Sequence, residues 1–124
     1  MINIVNEKLK INVTPLEELQ MDPTNISLYF DDSEEVRWKV DICPYQAVRV
    51  TTIDCIDTVD YLVNGTRSFN ILEVIDSNWV KLLKQTLSEI DETANFLDKS
   101  HHYVFPFQDL VVEIVCWDLA FEKV

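Results

Sequence analysis

The chain has 124 residues, of which 48% are hydrophobic, the usual size and composition of one globular domain with a single core. Its 22 acidic residues outnumber its 10 basic residues, which gives a formal net charge of -12. Direct binding to nucleic acid or to a membrane surface is therefore disfavoured, because both depend largely on Lys and Arg. The same charge attracts a basic partner or simply keeps the protein in solution. We expect residues 1–124 to form a single domain.

A β-hairpin with an acidic tip is predicted over residues 26–43. Apolar and polar residues alternate from 26 to 30 and again from 36 to 42, which is the period of two that half-buried strands show. The residues between them, 31–35, have turn character and supply the acidic side chains of the tip.

A third strand is expected after Pro44. Proline removes a hydrogen-bond donor from the ladder, so Pro44 should end the second strand, and the β-branched segment 46–53 should form another. Residues 54–64 combine helical spacing of apolar residues with neighbours that favour an extended chain. They end at Asn64-Gly65, a pair that suits either a type I′ hairpin turn or the end of a helix.

The clearest helix follows a short apolar run, residues 69–75, that is predicted to be a strand. The helix begins after Asp76 or Ser77, since either side chain can cap the first free backbone amides. Its apolar face consists of residues at helical spacing, namely Val80, Leu83, Leu87 and Ile90. Further apolar residues extend this stripe, so either the helix continues to about residue 99 or, as we favour, a second short helix begins after a new cap at Asp91.

Two C-terminal strands are predicted over residues 102–107 and 110–121, joined near Gln108-Asp109. Pro106 indicates that the first of them lies at a sheet edge or contains a bulge. The order of strands, then helix, then strands lacks the alternation of a parallel α/β sheet. We therefore expect an α+β fold, a mainly antiparallel sheet with one or two helices packed on one face.

The cysteines and the lack of export signals indicate a cytoplasmic protein. Cys43, Cys55 and Cys116 are odd in number, widely separated and flanked by apolar residues, which predicts reduced and mostly buried thiols. No signal-peptide pattern is present in residues 1–10, and no run approaches the roughly 20 apolar residues of a membrane span.

Motifs for catalysis or cofactor binding are not found, so we expect no catalytic residue, no cofactor and no metal. A single glycine, Gly65, cannot supply a glycine-rich phosphate loop. The two histidines, His101 and His102, are adjacent, and neighbours in a strand point to opposite faces, which disfavours joint binding of one metal ion. A Cys-His pair or a carboxylate pair brought together by the fold remains open as an enzymatic alternative.

Two acidic segments are the candidate partner-binding sites. They could be ordinary solvated surface or a surface for Lys and Arg, and a tyrosine beside them adds a large rigid contact. The first segment is the hairpin tip, and the second contains aspartates at every third position followed by a tyrosine. Their residues are Asp31, Asp32, Glu34 and Glu35 in the first, and Asp54, Asp57, Asp60 and Tyr61 in the second.

The C-terminal half resembles a family of small bacterial proteins. The stretches ILEVIDSNW (residues 71–79), HYVFPFQD (102–109) and VEIV (112–115) are similar to those of immunity proteins encoded beside polymorphic or contact-dependent toxins. The resemblance implies a cytoplasmic inhibitor that occludes one cognate toxin, often a basic nuclease, and that has no catalytic residues of its own.

The leading hypothesis is therefore a non-enzymatic, toxin-neutralising protein whose acidic surface binds a basic partner. The alternative is an acidic adaptor or regulatory subunit unrelated to toxins, in which the charge serves solubility. The oligomeric state does not follow from the sequence.

Overall fold

An antiparallel sheet of seven strands is the main element of the computed structural model, which describes all of residues 1–124. The elements in chain order are β1 (Ile2–Ile4), β2 (Glu18–Met21), β3 (Ile26–Asp31), β4 (Arg37–Thr52), β5 (Leu62–Val63), β6 (Thr66–Arg67), β7 (Leu72–Val74), α1 (Asn78–Ile90), β8 (His101–Pro106) and β9 (Leu110–Lys123). The order across the sheet is β1-β7-β8-β9-β4-β3-β2, and β5 and β6 form a separate hairpin. The predicted α+β fold, a mainly antiparallel sheet with a helix on it, is confirmed.

The two longest strands, β4 and β9, pair along their whole length at the centre of the sheet. Each has a second neighbour along only part of that length. Strand β3 pairs with the start of β4, up to Ile42, and β8 pairs with the start of β9, up to Cys116. The second part of β4 is therefore bordered by β9 on one side alone.

The main core lies on one face of the sheet and consists of side chains that alternate along the strands with residues of the other face. Its 13 buried members are Leu9, Ile11, Ile26, Leu28, Phe30, Val40, Ile42, Ile71, Phe105, Phe107, Val112, Ile114 and Cys116. Single bridges join Lys10 to Asn70 and Ile11 to Asp32, so the segment carrying Leu9 and Ile11 connects the two ends of the sheet. The sheet therefore curves around this core.

Helix α1 lies on the opposite face. Ser77 is its N-cap, as one of the two predicted alternatives, and its Oγ accepts the Val80 N–H at 3.2 Å. The helix ends at Ile90, and the second predicted helix is a single 3-10 turn, Phe96–Lys99. With 13 residues, α1 falls short of the length needed to cross a membrane, and no other helix is long and apolar enough.

The segment after β4 contains two 3-10 turns, Ile53–Cys55 and Thr58–Tyr61, followed by the β5–β6 hairpin. Asn64 and Gly65 have φ values of 52° and 79°, and positive φ at both central residues is what a type I′ turn requires. Of the two alternatives for this pair, the hairpin turn is therefore the one observed.

The interpretation of Pro44 as the end of a strand is wrong. Strand β4 continues through it, with an irregularity between Tyr45 and Ala47, so no separate third strand begins at residue 46. The Val124 N–H donates to the Arg37 carbonyl, and alternation from this pair directs the Pro44 nitrogen away from β9. Because β3 reaches only Ile42, proline removes no ladder hydrogen bond there.

Pro106 likewise lies within a strand at a position where its missing N–H removes no ladder hydrogen bond. Strand β8 is not at an edge, since it pairs with β7 on one side and with β9 on the other, and its pairing with β9 is regular. The Phe107 N–H donates to the Leu110 carbonyl, so alternation directs the Pro106 nitrogen towards β7. The pairing with β7 ends at Val104, and the missing donor again costs no hydrogen bond.

All three cysteines are free, but the expectation that they are mostly buried is wrong for two of them. Cys116 is buried in the core, whereas Cys43 and Cys55 are exposed. Cys43 lies just beyond the last residue of β4 that pairs with β3, and Cys55 lies in the 3-10 turn that follows the strand. Cys43 therefore has a neighbouring strand on the β9 side only, and Cys55 lies outside the strands altogether.

Candidate functional site

The hairpin tip, which joins β3 to β4, contains two kinds of acidic residue. Glu34 and Glu35 are exposed and have no ion pair. Asp31 is paired with Arg37 at 3.1 Å. Asp32 is only 8% exposed, and its carboxylate accepts the backbone N–H groups of Glu34 and Val36 and the indole N–H of Trp38. The tip therefore presents two free carboxylates, while Asp32 holds the turn together.

The hydrogen bonds of Asp32 also keep it ionised. Burial would raise its pKa, but the Trp38 indole, the two backbone amides and the charge of Lys123 outweigh burial and lower the pKa below its ordinary value. A buried carboxylate with three donors is expected to be structural.

Replacing Asp32 by alanine is expected to destabilise the domain by about 1–3 kcal/mol, because it leaves several buried donors without an acceptor. Glu34→Ala at the same tip should change the free energy of unfolding by less than about 0.5 kcal/mol, since that side chain is exposed. Urea denaturation measures both variants. Equal effects of the two substitutions would contradict a structural role for Asp32.

The second acidic segment lies at the other end of β4. Asp54, Asp57 and Asp60 are exposed on the two 3-10 turns, and Asp109 is adjacent because its carbonyl accepts the Ile53 N–H. We call these four residues the acidic end. Val59 lies among them and is 60% exposed. The 16 residues of β4 separate the acidic end from the hairpin tip by up to about 50 Å, so the two predicted segments do not form one surface.

Nearly all basic side chains are engaged within the molecule. Those in ion pairs with carboxylates are Arg37, Lys39, Arg49, Lys81 and Lys84. Arg67 donates to the Phe107 carbonyl, and Lys99 and Lys123 lie over the rings of Trp117 and Trp38. Lys8 and Lys10 alone have no such contact. The positive charge is thus largely used internally, whereas the carboxylates of the acidic end have no cationic partner.

A buried charge lies beneath the helix, at Glu113 of β9. This side chain is 1% exposed and accepts two hydrogen bonds from Arg49, at 2.6 and 3.0 Å. His102 Nε2 lies 2.9 Å from the same carboxylate, and the Tyr61 hydroxyl donates to it. Burial would raise the pKa of Glu113, but these donors outweigh burial and lower the pKa to about 2. Burial and the neighbouring carboxylate raise the pKa of Tyr61 to about 12, so it remains a donor.

The buried charge is connected to the start of α1. His102 Nε2 faces a carboxylate and is therefore a donor, while Nδ1 lies 2.7 Å from the hydroxyl oxygen of Ser77. The order Ser77, His102, Glu113 is that of a nucleophile, a base and an acid in hydrolases. Here, however, Ser77 is 6% exposed and its oxygen also caps the helix through Val80. We call Glu113, Arg49, Tyr61, His102 and Ser77 the ion cluster, and it fixes α1 to the sheet.

An open cleft of about 330 Å³ lies beside the ion cluster, with Arg49, Asp60 and Trp79 in its wall. The Arg49 guanidinium lies 4.2 Å above the Trp79 ring, which in turn meets the His102 ring edge-on at 5.1 Å. No group of three or more His, Cys, Asp or Glu side chains is placed to hold a metal ion.

The chain matches no family model, no curated protein and no solved structure. Its function is therefore inferred from its own charges and contacts.

The ion cluster was not predicted from the sequence, although one signal points to it. Glu113 is the only charged residue in the apolar run from Leu110 to Trp117, and a carboxylate in a buried strand requires a partner. The partners cannot be read from spacing, because they come from β4, from a 3-10 turn, from β8 and from the helix cap. Tyr61, predicted to bind a partner, directs its hydroxyl into the ion cluster.

Proposed function

We propose that this protein is a non-enzymatic inhibitor, an immunity protein that binds and neutralises a basic toxin, such as a nuclease, in the cytoplasm. The observation that carries the proposal is that positive side chains are used within the molecule, while negative side chains are left on its surface. Intramolecular contacts engage nearly all Lys and Arg side chains, while exposed carboxylates remain without partners. A basic protein approaching this surface is attracted and steered, because the charges available to it have one sign.

The acidic end is the preferred contact surface. Interfaces commonly combine an apolar centre with a polar rim, and Val59 lies between Asp57 and Asp60 in this way. The hairpin tip offers only Glu34 and Glu35, because Asp31 is paired with Arg37 and Asp32 is buried.

The ion cluster supports binding in preference to catalysis. Its ionisable groups donate to and accept from one another, and Glu113 is held ionised by a bidentate contact with Arg49. A general base or nucleophile needs a free atom that can reach a substrate. Ser77 and His102 have their hydrogen-bonding atoms engaged and are buried, so their contacts are accounted for by the packing of α1.

The decisive experiment is capture of the partner from the native cytoplasm, followed by expression of that partner alone. We expect a basic protein that stops growth when expressed alone and is tolerated when this chain is co-expressed. A harmless partner would contradict the toxin proposal, and a regulatory or metabolic partner would favour the acidic adaptor or regulatory subunit.

Charge reversal tests the contact surface. Asp54→Lys with Asp60→Lys should slow association with the captured partner by at least about tenfold at low salt, because steering is lost. The difference should shrink as salt screens the charges. Stopped-flow or surface-based kinetics measure it. Asp57 is kept because its side chain caps the Val59 N–H.

Two matched double variants serve as controls. Glu89→Lys with Glu92→Lys makes the same change in net charge on exposed residues near the end of α1, and Glu34→Lys with Glu35→Lys makes it at the hairpin tip. Slowing of equal size in all three would show that net charge, and not the acidic end, determines the rate. Slowing confined to the tip variant would place the interface there.

A further inference from the structure

The second part of β4 has an open hydrogen-bonding edge. The Ile53 N–H donates to the Asp109 carbonyl, and alternation from this pair assigns the backbone groups of Ala47, Arg49 and Thr51 to β9. The N–H and C=O groups of Val48, Val50 and Thr52 therefore point away from β9. No strand lies on that side, and residues 46–52 make no backbone hydrogen bond outside the β9 ladder.

This edge lacks the features that usually prevent strand pairing. Edges are commonly short or carry Lys, Pro or other charges that discourage an added strand. Strands β1 and β2 have three and four residues, and the part of β9 beyond its pairing with β8 contains Asp118, Glu122 and Lys123. Segment 46–52 is QAVRVTT, seven residues without lysine or proline. Its one charge, Arg49, is turned towards Glu113.

We propose that segment 46–52, the open edge, binds an extended basic segment of the partner protein as an added β-strand. This inference rests on the proposed function and names how the partner is held. The added strand would bond to the outward groups of Val48, Val50 and Thr52, which is a common mode of peptide recognition. Val50 is 50% exposed and would be covered, as would Val48 beside it.

The charges at both ends of the open edge determine the kind of occupant. Asp54 and Asp57 follow it directly, and Asp60 lines the same cleft as Arg49. Beyond its other end lies the exposed Asp22, whose carbonyl accepts the Tyr45 hydroxyl. Lys or Arg near the ends of the incoming strand, with β-branched residues between them, complement this surface. A second copy of the chain is disfavoured, because each carries a net charge of -12.

The test uses the full chain and a labelled synthetic peptide of alternating valine and threonine with lysine at both ends. In the free protein, the amides of Val48 and Val50 should exchange with solvent rapidly, and those of Ala47 and Arg49 slowly. Saturating peptide should protect Val48 and Val50. Fluorescence anisotropy and amide exchange by NMR give the two readouts.

Val50→Pro is the decisive variant. Proline at this position removes an outward N–H and no bond to β9, so the fold is kept while peptide affinity should fall at least about tenfold. Val50→Thr, which retains the N–H and the branched shape, should stay within about threefold. A peptide N-methylated on every residue has no backbone donor on either edge; it repeats the test with an unaltered protein and should not bind. Equal binding of the methylated peptide, absence of saturable binding, or dimerisation of the chain through this edge would overturn the proposal.

The two proposals can fail separately. If the captured partner binds Val50→Pro as tightly as the natural chain but is lost on reversal of Asp54 and Asp60, the open edge is not the contact and the acidic inhibitor stands. If the peptide binds at Val48 and Val50 but no toxic partner exists, the open edge stands and the toxin assignment fails.

Discussion

Glu113→Ala is expected to destabilise the domain by about 2–4 kcal/mol, because it leaves buried donors without an acceptor, while Arg49 is 45% exposed and can turn to water. The substitution removes the acceptor shared by Arg49, His102 and Tyr61. His102 and the partly buried Tyr61 hydroxyl lose a hydrogen bond that water cannot easily replace, and the contact chain from Ser77 to the sheet is broken. Urea denaturation at neutral pH measures the loss.

The neighbouring strands supply a matched control. Glu73 of β7 pairs with His101 at 2.8 Å, which is the same pair of residue types, but His101 is exposed. Glu73→Ala should cost less than about 1 kcal/mol, the usual value of a surface ion pair. If the two substitutions had similar effects, burial of the ion cluster would not be what makes Glu113 important.

The parts of the fold that could be predicted are those in which one strand or helix carries its own signal. Strands β3 and β4 alternate because one face meets the core, and α1 has both an apolar face and the Ser77 cap. The short edge strands β1 and β2 were not predicted, because three or four residues contain too little alternation to distinguish them from loops.

The sequence predictions that are wrong concern features that depend on neighbouring strands. Pro44 and Pro106 both lie where an adjacent strand has ended, and nothing in the local sequence shows where β3 and β7 stop. The candidate site follows the same division. The exposure of Asp54, Asp57 and Asp60 could be predicted from their number and spacing, but not the proximity of Asp109. Asp32 and Tyr61 are drawn into hydrogen bonds that only the fold creates.

Acid should remove the contribution of Glu113 to stability. Its pKa in the folded protein is lowered to about 2, from an ordinary value of 4.5. A carboxyl group whose pKa is lowered by folding stabilises the fold at pH values above its pKa in the unfolded chain. This stabilisation is lost as the pH falls from about 4.5 towards 2. The difference between the two pKa values corresponds to about 3 kcal/mol.

Glu113→Gln isolates this effect, because glutamine keeps the shape and an acceptor oxygen but does not titrate. Other acidic groups, including Asp32, are present in both proteins and cancel in the comparison. The natural chain should exceed the variant in free energy of unfolding most at neutral pH, and the difference should narrow progressively below about pH 4.5. Urea denaturation at several pH values from 7 to 2.5 follows the narrowing. A difference that stays constant over this range would mean that Glu113 is stabilised by packing alone, and that its contacts with Arg49 and His102 do not favour the ionised carboxylate.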